Sequence, residues 1–402
     1  MKKININSEV KRLKTVLVHR PGLELANLTP RYLQEQLFDD IPWLEEAQRE
    51  HDEFVHILQA HGVEVVYLVD LAADSILNPQ VKNKFIEQFI FEANVDNPTT
   101  KKQLRAFLHE LAPHDLIRST MAGIRKDQLP NYKKVSLSAF IEDYPFISDP
   151  MPNLYFTRDC ASVIGQDISI NRMRNEVRRR ETIYTDFIFK YHPEYAVEDL
   201  LYERGEYSSI EGGDILVVDA QTVLIGVSER TEPDAIETLA KRLLARGQWQ
   251  CVIAINLPKE RTFMHLDTVL TQVDDQRFVA HHALIKNVTH YVITPAVRKN
   301  HVRIDEVKER LTKTLSRVLK KPISFIPCGG KDTIASDREQ WNDGANTLAI
   351  EPGKVLVYAR NTITNEILQA NGIKTIALRS SELARGRGGP HCMSMPLKRR
   401  EN

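Results

Sequence analysis

The chain has 402 residues, 42% apolar and 27% charged, enough for a sizeable core and for two or three domains or one domain with an insertion. Lysine plus arginine equals aspartate plus glutamate at 54 each, so the formal net charge is zero. That balance argues against nucleic acid or anionic membrane as the main partner and points to a small polar substrate. The four cysteines, Cys160, Cys251, Cys328 and Cys392, form no C-x-x-C pair and are too sparse for a disulfide scaffold. The first residues are charged without a following apolar run, and no stretch of 18 uncharged apolar residues occurs, so a cytoplasmic protein outside the membrane is expected.

In chain order, residues 14–18 read as a buried strand ended by Pro21-Gly22, and Thr29-Pro30 opens a helix. Residues 43–60 carry Leu44, Ala47, Phe54, Val55 and Leu58 at helical spacing, with Gly62 as C-cap, and 63–69 follow as a strand. Strand, helix, strand predicts an α/β fold. Residues 74–144 differ: helical periods separated by Pro98 and Pro113, with almost no strand pattern, predict an inserted all-helical domain. Residues 1–73 and 145–402 then make the catalytic α/β domain.

Beyond residue 145 a repeat emerges. Glu211-Gly212-Gly213-Asp214 and Asp343-Gly344-Ala345-Asn346 lie 132 residues apart. Each precedes a short apolar strand, a turn, a second strand and a helix. Weaker copies begin at Asp159 and Asp267, and the strand at 14–18 reads as the opening of another. Self-similar units that start with a polar residue suggest modules around a shared axis, each aiming that residue at one central place.

A cysteine after a glycine-rich run, Gly388-Gly389-Pro390-His391-Cys392, a distant His265 and several carboxylates make a nucleophile–base set. Singly each has a plain structural reading: a buried thiol, a core histidine, a turn. Together they resemble the arginine deiminase family. The matching stretches are residues 151–159, 211–214, 229–231, 265–268, 342–346 and 385–397, in order along the chain. The resemblance implies a five-module pseudosymmetric α/β propeller, the pentein fold, with an inserted helical domain, no metal and no cofactor. It implies hydrolysis of free L-arginine to L-citrulline and ammonia through an amidino-cysteine intermediate, by a cytoplasmic homo-oligomer.

The implied roles follow the chemistry of a planar cation with a poorly electrophilic carbon. Asp159 and Asp267 clamp the guanidinium through charge-assisted hydrogen bonds, and Cys392 attacks. His265 serves as acid and then base, oriented by Glu211. Arg178 and Arg230 take the substrate carboxylate with help from Asn153 and Arg387, and Phe156 packs on the aliphatic stem. Asp214, Asn346 and the Leu37 backbone line the far end. Related penteins act on agmatine, methylated or protein-bound arginine, or transfer the amidino group; carboxylate-binding arginines favour free arginine. Two features depart from the family motif: Cys160 directly after Asp159, expected to be an inert strand residue, and Pro390 in the closing loop.

Overall fold

The computed structural model describes residues 3–130, 132–134, 137–141, 144–298 and 301–400. The predicted strand near the N-terminus forms as Leu13–Val18 and lies at the centre of a three-stranded sheet. Met395–Arg399 pairs with it antiparallel and Glu64–Tyr67 parallel. The same pairing, antiparallel then parallel, recurs in four more sheets. They comprise Ala161–Ile164, Asp167–Ile170 and Leu200–Tyr202; Ile215–Asp219, Thr222–Val227 and Cys251–Asn256; Leu270–Gln272, Arg277–Ala280 and Ser324–Pro327; and Leu348–Glu351, Lys354–Tyr358 and Lys374–Leu378. A parallel step needs a crossover. Helices Leu44–Ala60, Thr182–Tyr191, Pro233–Ala245, Leu311–Val318 and Thr362–Ala370 lie in the five connections. A further pair of strands, His290–Pro295 and Val302–Val307, extends the sheet of Cys251–Asn256.

The strand at 13–18 does not open a unit, as the sequence suggests. It is the middle strand of a sheet whose first strand is C-terminal, Met395–Arg399. This unit is built from both ends of the chain, so linear reading shows only its second half. The consequence is chemical: Cys392 stands just ahead of a first strand, where the other units carry Asp159, Asp214, Asp267 and Asn346.

Other expectations shift. Thr29-Pro30 starts only the short 3-10 turn Pro30–Tyr32. The strand predicted over 63–69 stops at Tyr67, and Leu68–Ser75 is a helix with Leu68, Leu71, Ala72 and Ser75 buried at spacings of three and four. Pro79–Glu92, Pro98–Glu110 and Pro113–Ala122 follow. Pro98 and Pro113 therefore mark helix starts, where a missing N–H costs nothing. The side chains of Asn78 and Asn97 accept from the first free amides, Gln80 and Thr99. Ile124–Arg125, within the stretch expected to be helical, pairs antiparallel with Phe146–Ser148, just beyond it, where strands are expected to return. Residues 131, 135–136 and 142–143 of the predicted insertion lie outside the described residues.

These helices share the core of the body. Phe85, Ile86, Phe89, Leu104, Leu108 and Leu116 belong to one apolar cluster with Ile183, Phe187, Ile225 and Leu239. The rings of Phe85 and Phe187 meet edge to face at 5.2 Å.

Candidate active site

The polar residues ahead of the first strands are held on short helical turns. Thr157–Cys160 carries Asp159, Gly212–Asp214 follows Glu211, and Leu266–Thr268 follows His265 and carries Asp267. Close packing of these turns requires glycine. A Cβ on Gly213 would lie 2.8 Å from the His265 ring, and one on Gly389 would lie 2.6 Å from Asn346 Oδ1.

Cys392 is buried. Its Sγ accepts from Asn346 Nδ2 at 3.1 Å and donates to Asp267 Oδ2 at 3.3 Å. Its backbone N–H donates to Asn346 Oδ1 at 3.2 Å. Burial pushes the thiol well above its ordinary range, and the charges of Asp267, Asp159 and Asp343 push it further. Behind Asp267 stands His391, which bridges two carboxylates: Nδ1 is 2.8 Å from Asp267 Oδ2 and Nε2 is 3.2 Å from Glu9 Oε2. Burial is the largest single influence on Asp267 and opposes its charge, but the His391 hydrogen bond and the charges of His391, His265 and Arg158 together outweigh it and lower the carboxyl. Glu9 is lowered to about 2 against its own burial, chiefly by Arg158 and His391.

On the other side, His265 Nε2 lies 2.8 Å from Glu211 Oε2, and Nδ1 lies 3.8 Å from Asp159 Oδ1. Burial works against the imidazolium, yet Asp159 and the Glu211 hydrogen bond raise it to about 9. Glu211 is lowered to about 2 against its burial, by Arg230 and His265. Arg178 Nη1 donates to Asp159 Oδ2 at 2.8 Å, and its Nε donates to Glu181 Oε2 at 2.9 Å. Arg230 Nη1 is 3.6 Å from Glu211 Oε2, and its Nε and Nη1 find no hydrogen-bond partner.

The pocket between these groups is lined by Asp159, Arg178, Arg230, His265 and Cys392, with Leu37, Asn153, Phe156, Arg261 and Arg387 nearer the loops, and encloses about 20 Å³. Leu37 adopts φ 64°, and its carbonyl accepts from Arg261 Nη2 at 3.1 Å. Asn153 Nδ2 ties down the same loop through the Gln36 carbonyl at 2.9 Å. The Arg387 guanidinium stacks over the Trp341 ring at 3.2 Å. Asp159, Glu211 and His265 offer ligand atoms within 4.8 Å of one another, the one such group among the described residues. The Arg178 cation, against Asp159, already supplies positive charge there.

The structure thus brings Cys392, His265, Asp159, Asp267, Glu211, Arg178 and Arg230 together. It places two residues differently from the sequence expectation. Asp214 turns away from the pocket: its oxygens accept from the Leu266 N–H, the Ser228 hydroxyl and the Thr231 hydroxyl. It therefore supports the turn that follows His265, and burial raises its carboxyl to about 7. Asn346 sits beside the nucleophile rather than at the far end. Glu9, His391, Glu181 and Arg261 were not singled out from sequence. His391 could have been found as the neighbour of Cys392, and Glu181 as the acid three residues beyond Arg178. Nothing local marks Glu9 or Arg261.

The architecture matches solved structures. An amidinotransferase of the saxitoxin biosynthetic pathway from Microseira wollei aligns with TM-score 0.58 at 16% identity, covering 100% of this chain and 98% of that one. DDAH from Pseudomonas aeruginosa, complexed with citrulline, aligns with TM-score 0.52 at 16% identity, covering 96% and 99%. Fold and site together define an α/β protein of pentein type with a cysteine, a histidine and paired carboxylates in one buried pocket. The arginine deiminase family model matches residues 34–399. Arginine deiminase from Clostridium perfringens is 46% identical over 407 residues, covering 99% of this chain and 98% of its own. The chain belongs to the arginine deiminase family.

Proposed function

We propose that the protein hydrolyses free L-arginine to L-citrulline and ammonia through a covalent S-alkylthiouronium intermediate on Cys392. One observation carries the reading: Cys392 Sγ lies 3.3 Å from Asp267 Oδ2, while Asp267 Oδ1 and Asp159 Oδ1 are buried acceptors with no hydrogen-bond partner. Buried carboxylate oxygens without donors are costly, and a guanidinium supplies paired N–H donors.

The substrate cation offsets the carboxylates that hold the thiol protonated, and so promotes the thiolate that attacks. The S–C bond forms, and His265, protonated at neutral pH by its raised position near 9, gives its proton to the departing nitrogen as the C–N bond breaks. Neutral His265 then takes a proton from water, whose oxygen adds to the carbon while the S–C bond breaks and citrulline leaves. Glu211 holds the imidazole through both steps. Arg230, with donors to spare, is the carboxylate partner for the substrate, aided by Arg178; Phe156 and Asn153 shape the channel for the stem.

The same reading takes the five sheets of like pairing as a five-unit propeller and the helices from Leu68 onward as an insertion docked on it. It takes the protein as a cytoplasmic homo-oligomer. Four free thiols fit a reducing compartment. Among the described residues no helix is long and apolar enough to cross a membrane. Leu77 and Phe91, exposed on the helical segment, suit a subunit contact. Parallel incubation with L-arginine and agmatine, with citrulline and ammonia measured, tests the activity. Absence of ammonia from arginine, or faster release from agmatine, overturns it.

A further inference from the structure

Arg178 presents a contradiction within the site. The reading above asks it to help bind a carboxylate, but its own guanidinium lies on a carboxylate of the clamp. Nη1 donates to Asp159 Oδ2 at 2.8 Å and lies 3.9 Å from Glu211 Oε2. Only one Asp159 oxygen is used: Oδ1 accepts nothing, and Arg178 Nη2 donates to nothing, although both atoms are buried. The contact is therefore single where a guanidinium and a carboxylate can pair through two bonds.

Room decides what this means. The pocket encloses about 20 Å³, space for about one water molecule. A molecule the size of arginine enters only if side chains leave, and of the four arginines that line the pocket Arg178 is the one whose guanidinium is hydrogen-bonded to a clamp carboxylate. Its second anchor would remain. Glu181 is 1% exposed and accepts from Arg178 Nε at 2.9 Å, on the side of the guanidinium away from Nη1. Cys160 Sγ donates weakly to the same Glu181 oxygen at 3.9 Å, and the Glu181 backbone N–H donates to the Arg178 carbonyl. Glu181 is fixed by its chain position, while the arginine side chain is long and rotatable.

We propose that Arg178 is an internal occupant of the guanidinium clamp and that Glu181 is the positioning residue that keeps hold of it when substrate displaces it. The inference rests on the proposed site reading. Arginine then enters by exchanging one guanidinium for another. The single Arg178–Asp159 bond gives way to paired bonds from the substrate, and Nη1, released but still tethered through Nε, becomes available to the substrate carboxylate. A cation that lacks a carboxylate displaces Arg178 without giving it a new partner. The exchange therefore selects for ligands with a carboxylate.

Methylguanidinium is the probe, and its binding is read by protection of Cys392 from alkylation, which needs no turnover. An occupant that fills the clamp most of the time reduces the apparent affinity of any competitor by the fraction left open. In Arg178→Met, methylguanidinium is expected to bind at least about 10-fold more tightly, while L-arginine binds more weakly. Opposite signs on the two ligands are the signature. Unchanged or weaker methylguanidinium binding overturns the proposal. If Arg178→Met does not fold, Glu181→Gln carries the test: a KM for arginine raised several-fold with kcat held within about twofold supports the tether, and a parallel fall in kcat with KM unchanged refutes it. Failure of the activity reading appears separately, as absence of citrulline from the unmodified protein.

Discussion

Asp159 and Asp267 hold equivalent places, each on a helical turn just ahead of the first strand of its unit, yet their partners differ. Asp159 meets a cation on a long side chain, Arg178. Asp267 meets a histidine wedged between two carboxylates, and the thiol of Cys392. The first contact can be traded for another guanidinium. The second fixes the carboxylate relative to sulfur. One structural position has thus been used twice, for exchange on one side of the pocket and for alignment on the other. The pairing also explains why the thiol and the imidazole are both raised: burial acts on them in opposite senses, but anions surround both, and anions raise acid and base alike.

The largest effect expected is on the alignment side. Cys392→Ser removes the nucleophile that Asp267 faces, and citrulline formation should fall by about 10⁴-fold or more. Arginine binding, measured by calorimetry, should persist, because the Asp159 side is intact. Activity above about 1% of the original would show that sulfur is not the attacking atom.

The next effect separates the two carboxylates by pH. Asp267 is the largest charge influence on the thiol, followed by Asp159. Asp267→Asn should therefore lower the pH at which Cys392 is alkylated more than Asp159→Asn does. The imidazole behaves oppositely. His265 in the folded protein sits near 9, above the ordinary 6.5, with Asp159 its first raising influence. The acid form is lost as pH rises through about 9, so kcat should decline there, and Asp159→Asn should move that limb down. The same shift bears on stability. A group raised on folding contributes fully below 6.5, and its contribution is lost as pH rises toward 9. A thiol titration that moves equally in both variants would erase the distinction between the two sides.

Much of this was legible in the sequence because it is local. The 132-residue lag between Glu211 and Asp343 exposes the repeat, and periodicity places helix Leu44–Ala60 to within a residue. What was not legible depends on closure. The unit that carries Cys392 is split between the chain ends, so the strand at 13–18 looked like a beginning when it is a middle. Glu9 reaches His391 across 382 residues of sequence, a proximity that no spacing announces. Helix Leu68–Ser75 was lost because Val65, Val66 and Val69 extend an apolar run through the strand end, and such runs do not distinguish strand from helix. Asp214 looked like a pocket residue because it shares the repeat's polar position. Only its three donors reveal that it braces the turn after His265.

The smallest effect concerns His391, which touches neither pocket nor substrate. Its two ring nitrogens span Asp267 and Glu9, at 2.8 and 3.2 Å. Asparagine can reproduce the donor to Asp267 but is too short to reach Glu9 as well. His391→Asn thus leaves one buried carboxylate short of a partner, at a cost of about 1–3 kcal/mol in stability. Because Asp267 keeps a donor, its aim at Cys392 should loosen only partly, and kcat should fall about tenfold or less with KM for arginine nearly unchanged. His391→Ala removes both contacts and should lower kcat further. Steady-state kinetics on the two variants, set beside their denaturation midpoints, checks the ordering. If alanine and asparagine are equivalent in kcat, the hydrogen bond to Asp267 does not align the carboxylate, and the contrast between the two sides rests on Arg178 alone.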